Sequence, residues 1–328
     1  MSLRIATFNL ENFDDGPNVK PPLAERIQIM RPQLERLAAD IICFQEVHSQ
    51  GPNESRTLAA LDQLLSGTAY AGYNRQTTLT TGGKLYTERN LVTLSRFPII
   101  NTQIIRDSSR PRPSYQMATA IPPDTTAAPL DWERPILYTQ IDLGALSAGR
   151  ILHLANLHLK SKLAVSIPGQ KIDNYTWRSA SAWAEGSFIA SMKRVGQALH
   201  TRMLIDDIFD AQGLDSLIAI AGDFNAEADQ VPIQAIRGPV EETGNSAHGA
   251  RIMIPCENNI PDSARYSLIH LGKGYMLDHI IASRPLLRYF RRAEVHNEAL
   301  PDESGAFRDD TKFPESDHAP VVAEFEVG

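Results

Sequence analysis

Two cysteines in 328 residues, Cys43 and Cys256, are too few for a disulfide framework. Cys43 lies inside the apolar run IICF and reads as a small core residue. No segment approaches the uninterrupted apolar length of a membrane span. The N-terminus shows no signal-peptide pattern, because a strand-like run begins almost at once. A cytoplasmic location is therefore the default expectation, with secretion open if a leader has been removed. Basic charge is not in excess either: 32 Lys and Arg against 39 Asp and Glu leave a net charge of −7. The usual footprint of a nucleic-acid binder, a basic stripe, is thus not advertised by composition. A nuclease is not excluded, since bound divalent cations and a local Lys/Arg cluster can supply the positive field. There is no internal repeat, no low-complexity tract and no Walker-type glycine loop, which disfavours P-loop nucleotide hydrolysis. What remains, 42% hydrophobic and 22% charged residues, is a soluble globular composition. With no clear boundary, residues 1–328 read as one domain, and nothing in the chain points to a protein partner.

The most informative stretch is Leu217 to Glu227, LIAIAGDFNAE. Five apolar residues run into Gly222-Asp223-Phe224-Asn225, the pattern of a buried strand that stops at a glycine and an acid. A glycine there permits a sharp turn. Asp223 and Asn225, two apart, offer one anionic and one neutral oxygen, which suits a hard cation and a phosphate beside it. An Asx-turn after a core strand explains the same residues.

Other apolar runs also end in polar groups. Leu3–Leu10 is a first strand with Asn9 and Glu11 at its end. Apolar residues at helical spacing predict a helix over 23–39, interrupted by Pro32. IICF is a second buried strand, ending in Gln45-Glu46-Val47. A helix follows around Leu58–Leu65, then antiparallel strands between Gly67 and Lys84, and a short strand at Leu91–Leu94. The proline-rich stretch from Arg106 to Arg134 should hold one strand, near Gln116–Ile121. Strands are expected at Ile136–Ile141 and at Ile151–Leu157, the latter followed by His158 and Lys160. A long helix should cover Ala182–Asp210, and strands recur at Met276–Ala282 and Ala319–Glu326. Strands alternate irregularly with helices and hairpin-like pairs. An α/β (α+β) four-layer sandwich, two packed mixed sheets flanked by helices, fits that order.

Asn9, Glu11, Glu46, His158, Asp223, Asn225, Asp278, His279, Asp317 and His318 thus gather at strand ends. The segments ATFNLEN, DIICFQEV, NLHLKSK, AGDFNAE, LDHIIAS and SDHAPVV, in that order from Ala6 to Val322, resemble the endonuclease/exonuclease/phosphatase superfamily. The resemblance implies the same four-layer sandwich, with a site at one edge of the two sheets, and hydrolysis of phosphate esters by an activated water. It implies Mg²⁺, or Mn²⁺ with Ca²⁺ as a further candidate, held by Glu46 and Asn9, with Asp317 and Glu11 completing the site. It makes His318 the catalytic histidine, oriented by Asp278. Asp223 becomes the residue that orients or deprotonates water, and Asn225 the one that holds the phosphate. His158 resembles the second histidine of the deoxyribonuclease branch, and Glu88 in YTERNLVTLSR stands where its glutamate partner would be.

Substrate is less legible. Asp278-His279, where inositol-phosphate 5-phosphatases carry Asp-Arg, counts against that branch. LDHII and SDHAPVV look closest to bacterial nucleases and unassigned phosphodiesterases of the family, and a phosphodiesterase acting on DNA or RNA is the leading expectation. A phosphatase or sphingomyelinase-like phospholipase, and an inactive scaffold, are the alternatives. Lys160 and Arg89 lead the candidates for phosphate contact, with Lys162, Arg178 and Arg194 behind them. Arg194 reads better as a solvated helix face. Tyr175 and Trp177, in the insertion after His158, either stack on bases or pack the loop down.

Overall fold

Side chains alternate between the two faces of a strand, and here both faces are apolar. On β1 (Ser2–Phe13), Leu3 and Ile5 enter one buried cluster while Ala6, Phe8 and Leu10 enter another. On β10 (Leu217–Asp223), Leu217, Ala219 and Ala221 join the first cluster, and Ile218 and Ile220 a third. A strand that is apolar on both sides must be covered on both. The computed structural model, which describes residues 2–17, 19–106, 110–147, 149–305 and 312–327, shows how.

Between β1 and β10 lie β2 (Ile41–Val47), β3 (Asn74–Thr77), β4 (Asn90–Ser95), β5 (Ile99–Ile105), the short β6 (Ser114–Tyr115) and β7 (Ala128–Pro129), β8 (Ile136–Asp142) and β9 (Ile151–His158). After β10 come β11 (Met253–Pro255), β12 (Leu268–His270), β13 (Lys273–Tyr275), β14 (Asp278–Ser283), β15 (Phe290–Val295) and β16 (Val321–Glu326). One six-stranded sheet has the order β15-β16-β1-β2-β4-β3, the other β11-β14-β10-β9-β8-β5. Each has one parallel pair at its centre, β1 with β2 and β9 with β10, and is otherwise antiparallel. Residues from both sheets make up the shared apolar layer between them. Helices α1 (Leu23–Arg36) and α2 (Ala59–Leu65) cover the outside of the first sheet, and α3 (Ala180–Gln212) and α4 (Val231–Arg237) the outside of the second. This is the four-layer α/β sandwich expected.

Several local expectations change. Helix α1 runs through Pro32 as one element. Between Gly67 and Lys84 only Asn74–Thr77 pairs as a strand. Gln116–Ile121 forms no strand: cis-Pro122 follows it, and β6 and β7 pair on either side. The strands β5 and β15 went unread because they lie at or near sheet edges and are half exposed, so their apolar residues do not alternate cleanly. Gly222 does not end its strand, since β10 continues through Asp223. Its role is close approach: a Cβ there would stand 1.9 Å from the Leu157 carbonyl oxygen, and its φ is +151°.

Candidate active site

The apolar layer between the sheets gives way to polar residues at one edge. On the inward faces, Thr7 and Asn9 follow Leu3 and Ile5, Gln45 follows Ile41 and Cys43, and Asn156 and His158 follow Leu152 and Leu154. Asp223 follows Ala221, and Asp278 precedes Ile280 on an antiparallel strand, so both reach the same edge. The first polar tier is a lock between the sheets. Gln45 Nε2 donates to Asn156 Oδ1 at 2.8 Å, Thr7 Oγ1 donates to Gln45 Oε1 at 3.2 Å, and Asn156 Nδ2 donates to the Phe44 and Val92 carbonyls at 3.2 and 3.0 Å.

Beyond that tier lie the reactive groups. Asp223 Oδ2 accepts from Asn9 Nδ2, Asn225 Nδ2 and His158 Nε2, each at 3.1 Å, and its Oδ1 accepts from the Asn225 amide at 2.8 Å. Burial alone would raise the Asp223 carboxyl, but His318, His158 and the Asn225 amide outweigh it and hold it well below the usual carboxylate range. His318 Nδ1 donates to Asp278 Oδ2 at 2.7 Å, while its Nε2 stands 4.0 Å from Asp223. Burial works against the imidazolium of His318, yet Asp278, Asp223 and Asp317 together raise it well above the ordinary histidine range. His158 goes the other way: burial and Arg134 depress it, and its Nδ1 is buried without a partner.

Glu46 reaches the site by a backbone device. Alternation would aim it at the helices with Ile42 and Phe44, but a register shift between Phe44 and Val47 and a φ of +58° turn it. Its Oε1 lies 3.7 Å from His158 Nε2 and its Oε2 accepts from the Asn12 amide at 2.9 Å. Glu11, Asn12, Arg89 and Asn225 also have positive φ, so left-handed backbone outside glycine concentrates at this edge. Burial pushes Glu46 up, but His158, Arg134, the Asn12 amide and His318 hold it below the ordinary range.

The remaining acids, Glu11 and Asp317, form a second cluster. Glu11 Oε2 accepts from the Asp317 amide at 3.1 Å. Burial, with Glu11, Glu46 and Glu303 adding to it, pushes Asp317 up to about 8, and its Oδ1 is buried without a partner. An orphaned carboxylate oxygen beside other acids is a donor for a hard divalent cation, so the residues present fit a divalent cation. Among the described residues, the set of three donor atoms within 4.8 Å of one another is a different one, Asp223, Asp278 and His318. Its Asp278 and His318 atoms are already joined by a hydrogen bond.

Glu46, His158, Asp223, Asn225 and His318 floor a cleft of about 510 Å³ whose walls include Arg89, Arg134, Lys162, Leu163, Leu268 and Tyr275. Three expectations are corrected. Glu88 does not meet His158: it is exposed and faces a separate depression with Glu11, Asp14 and His48. Lys160 turns aside, its Nζ donating to Ser161 Oγ at 3.0 Å and the Leu163 carbonyl at 3.3 Å, and Lys162 takes its place on the wall. His279 alternates away from Asp278 to the helix side, where it pairs with Glu257 and the Ala226 carbonyl. Asn225 Nδ2 donates to Asp223 and, at 3.1 Å, to the Leu159 carbonyl, so in this arrangement it braces Asp223. Arg194, expected on a solvated face, ties α3 to the Lys160 and Ser161 carbonyls. Trp177 packs under Lys171, whose Nζ is 4.3 Å from its ring centre, while Tyr175 is exposed.

Two cations were missed. Arg134, at the end of the proline-rich stretch, donates to the Leu159 carbonyl at 3.1 Å and faces Glu46 and Asp223. Arg26 on α1 donates to the Leu10 and Glu11 carbonyls at 2.8 and 2.9 Å and balances Glu11. Neither carries a sequence signal beyond being an arginine.

No curated protein sequence matches the chain. Among solved structures it is similar to an endonuclease/exonuclease/phosphatase family protein from Bacteroides thetaiotaomicron, at 15% identity over 99% of this chain and 94% of that one, TM-score 0.57. Truncated TDP2 from Caenorhabditis elegans matches at 16% identity over 99% and 97%, TM-score 0.57. An AP endonuclease from Archaeoglobus fulgidus matches at 16% over 99% and 100%, TM-score 0.53. At such identity these likenesses speak for the fold alone. Residues 6–318 match the family's sequence pattern itself, and the chain belongs to the Endonuclease/Exonuclease/phosphatase family.

Proposed function

We propose that this chain is a divalent-cation-dependent phosphodiesterase acting on DNA or RNA. The observation that carries the reading is the convergence, at one cleft, of the ionised Asp223, the Asp278-backed His318 and the cations Arg89, Arg134 and Lys162. Glu46, Asn9, Asp317 and Glu11 would hold the cation, which when bound offsets negative charge on the phosphate and the leaving oxygen. Asp223, braced by Asn9, Asn225 and His158, orients the attacking water and accepts its proton. His318, protonated because Asp278 stands behind Nδ1, offers its Nε2–H to a phosphoryl oxygen. Arg134 and Arg89 receive the flanking charge.

Plasmid DNA, an RNA oligomer, bis-p-nitrophenyl phosphate and sphingomyelin, each with Mg²⁺ or Mn²⁺ and an EDTA control, test the reading. Nucleic-acid and diester hydrolysis abolished by EDTA, and reduced about 10²- to 10³-fold in His318→Ala, is expected. Hydrolysis of sphingomyelin alone, or EDTA-resistant activity, refutes it.

A further inference from the structure

One wall of the cleft is unlike the rest. The hairpin β12–β13 pairs Leu268 with Tyr275, and both line the cleft together with Leu277. It is held at both ends. At its root the Ser267 amide donates to the Tyr275 carbonyl at 2.8 Å, and Ser267 Oγ accepts from the Leu277 and Asp278 amides at 3.0 and 3.1 Å. The Ser267 carbonyl in turn accepts from the Ala319 amide at 2.7 Å. At its tip Asp302 accepts from the Leu271 and Gly272 amides at 3.2 and 2.7 Å. The wall is therefore tied directly to Asp278 and to the residue after His318, and its distance from the reacting groups is set by hydrogen bonds rather than by a free loop.

The Tyr275 ring is flanked by charge. Lys273 Nζ lies 4.6 Å and Lys162 Nζ 6.0 Å from its centre. Two ammonium groups near one aromatic ring, beside a site for a phosphodiester, match a planar ring with a phosphate on either side. A nucleobase in a strand has that composition; a lipid headgroup or a sugar phosphate lacks the ring. A base stacked inside a duplex does not present its face.

Resting on the function proposed above, we infer that Tyr275 is the stacking platform of a nucleobase subsite and that the substrate is single-stranded nucleic acid or an unpaired end. Lys162 and Lys273 meet the phosphates flanking the stacked base, and the backbone then crosses to Arg134 and His318.

Binding in EDTA tests the subsite separately from catalysis. The probes are a fluorescein-labelled oligothymidylate and the same oligomer with abasic residues, which keeps the phosphates and removes the bases, read by anisotropy. The intact strand should bind about 5- to 150-fold more tightly than the abasic one, the range expected for stacking on one aromatic side chain. That ratio should collapse towards one in Tyr275→Ala and persist in Tyr275→Phe. A ratio near one for the unaltered protein, a ratio unchanged by Tyr275→Ala, or stronger binding to phosphatidylserine vesicles than to the strand overturns the subsite. Hydrolysis of bis-p-nitrophenyl phosphate with Mg²⁺ is scored in parallel. Its absence overturns the hydrolase reading, whereas its presence with a ratio near one overturns the subsite alone.

Discussion

Replacing Gln45 by Met tests whether the polar tier between the sheets supports the site above it. Gln45 and Asn156 are fully buried. Met keeps the length and volume of Gln but removes the donor to Asn156 Oδ1, at 2.8 Å, and the acceptor for Thr7 Oγ1, at 3.2 Å. The Thr7 hydroxyl can rotate to another acceptor, so the certain loss is one buried amide oxygen without a donor. An unsatisfied buried group costs about 1–3 kcal/mol. Urea unfolding should therefore show a lower midpoint at unchanged slope, equivalent to about 2 kcal/mol. In Gln45→Met/Asn156→Leu the orphaned amide oxygen is gone as well, and stability should return in part, short of full recovery because the Phe44 and Val92 carbonyls lose the Asn156 donor. Activity should not return. Glu46 is the next residue and His158 lies two beyond Asn156, so their 3.7 Å separation depends on how the sheets meet here, and a shift of about 1 Å costs about 10²-fold. The reasoning fails if the double variant is as unstable as the sum of the single ones, or if it regains stability and full activity together.

Three further outcomes follow from the same geometry. Asp278→Asn removes the anion behind His318 Nδ1, and loss of a charge-assisted hydrogen bond of about 1.5–3 kcal/mol should lower kcat about 10- to 150-fold, with KM changed far less; equal changes in both would count against the assignment. Asp317, pushed up to about 8, is largely protonated at pH 7, so Mg²⁺ binding should release close to one proton, read from calorimetric heats in buffers of different ionisation enthalpy; no buffer dependence would remove Asp317 from the donor set. Glu257 raises the buried His279 above its ordinary value, overcoming burial. A raised histidine stabilises fully below about pH 6.5 and loses that contribution as pH rises through its folded value. The Tm gap between the unaltered protein and Glu257→Gln should therefore be wider at pH 6 than at pH 9, and a gap that widens with pH would invert the sign.

Much of this molecule was legible as pattern. Apolar runs ending in GDFN and QEV, and one that follows SDH, marked the buried strands and their polar ends, because burial on both faces and termination at a turn are local properties of a sequence. The Gln45–Asn156 pair was not legible, since 111 positions separate partners that only sheet packing brings together. Glu46 was named through the family resemblance and not through its pattern: period-two alternation points it at the helices, and a bulge with left-handed backbone sends it to the cleft. Glu88 and Lys160 fail for the opposite reason. A matching place in the family pattern suggested a role for Glu88 and proximity to His158 one for Lys160, but a side chain's direction depends on what else is within reach, and Lys160 has Ser161 and Leu163 nearer. Arg134 arrives from a proline-rich stretch with no periodicity to read. The sequence alone therefore determined which residue types meet the phosphate chemistry and that buried strands deliver them. Tertiary structure alone decided which face each presents, which cations line the cleft and where the Tyr275 wall stands, because those depend on contacts between segments far apart in the chain.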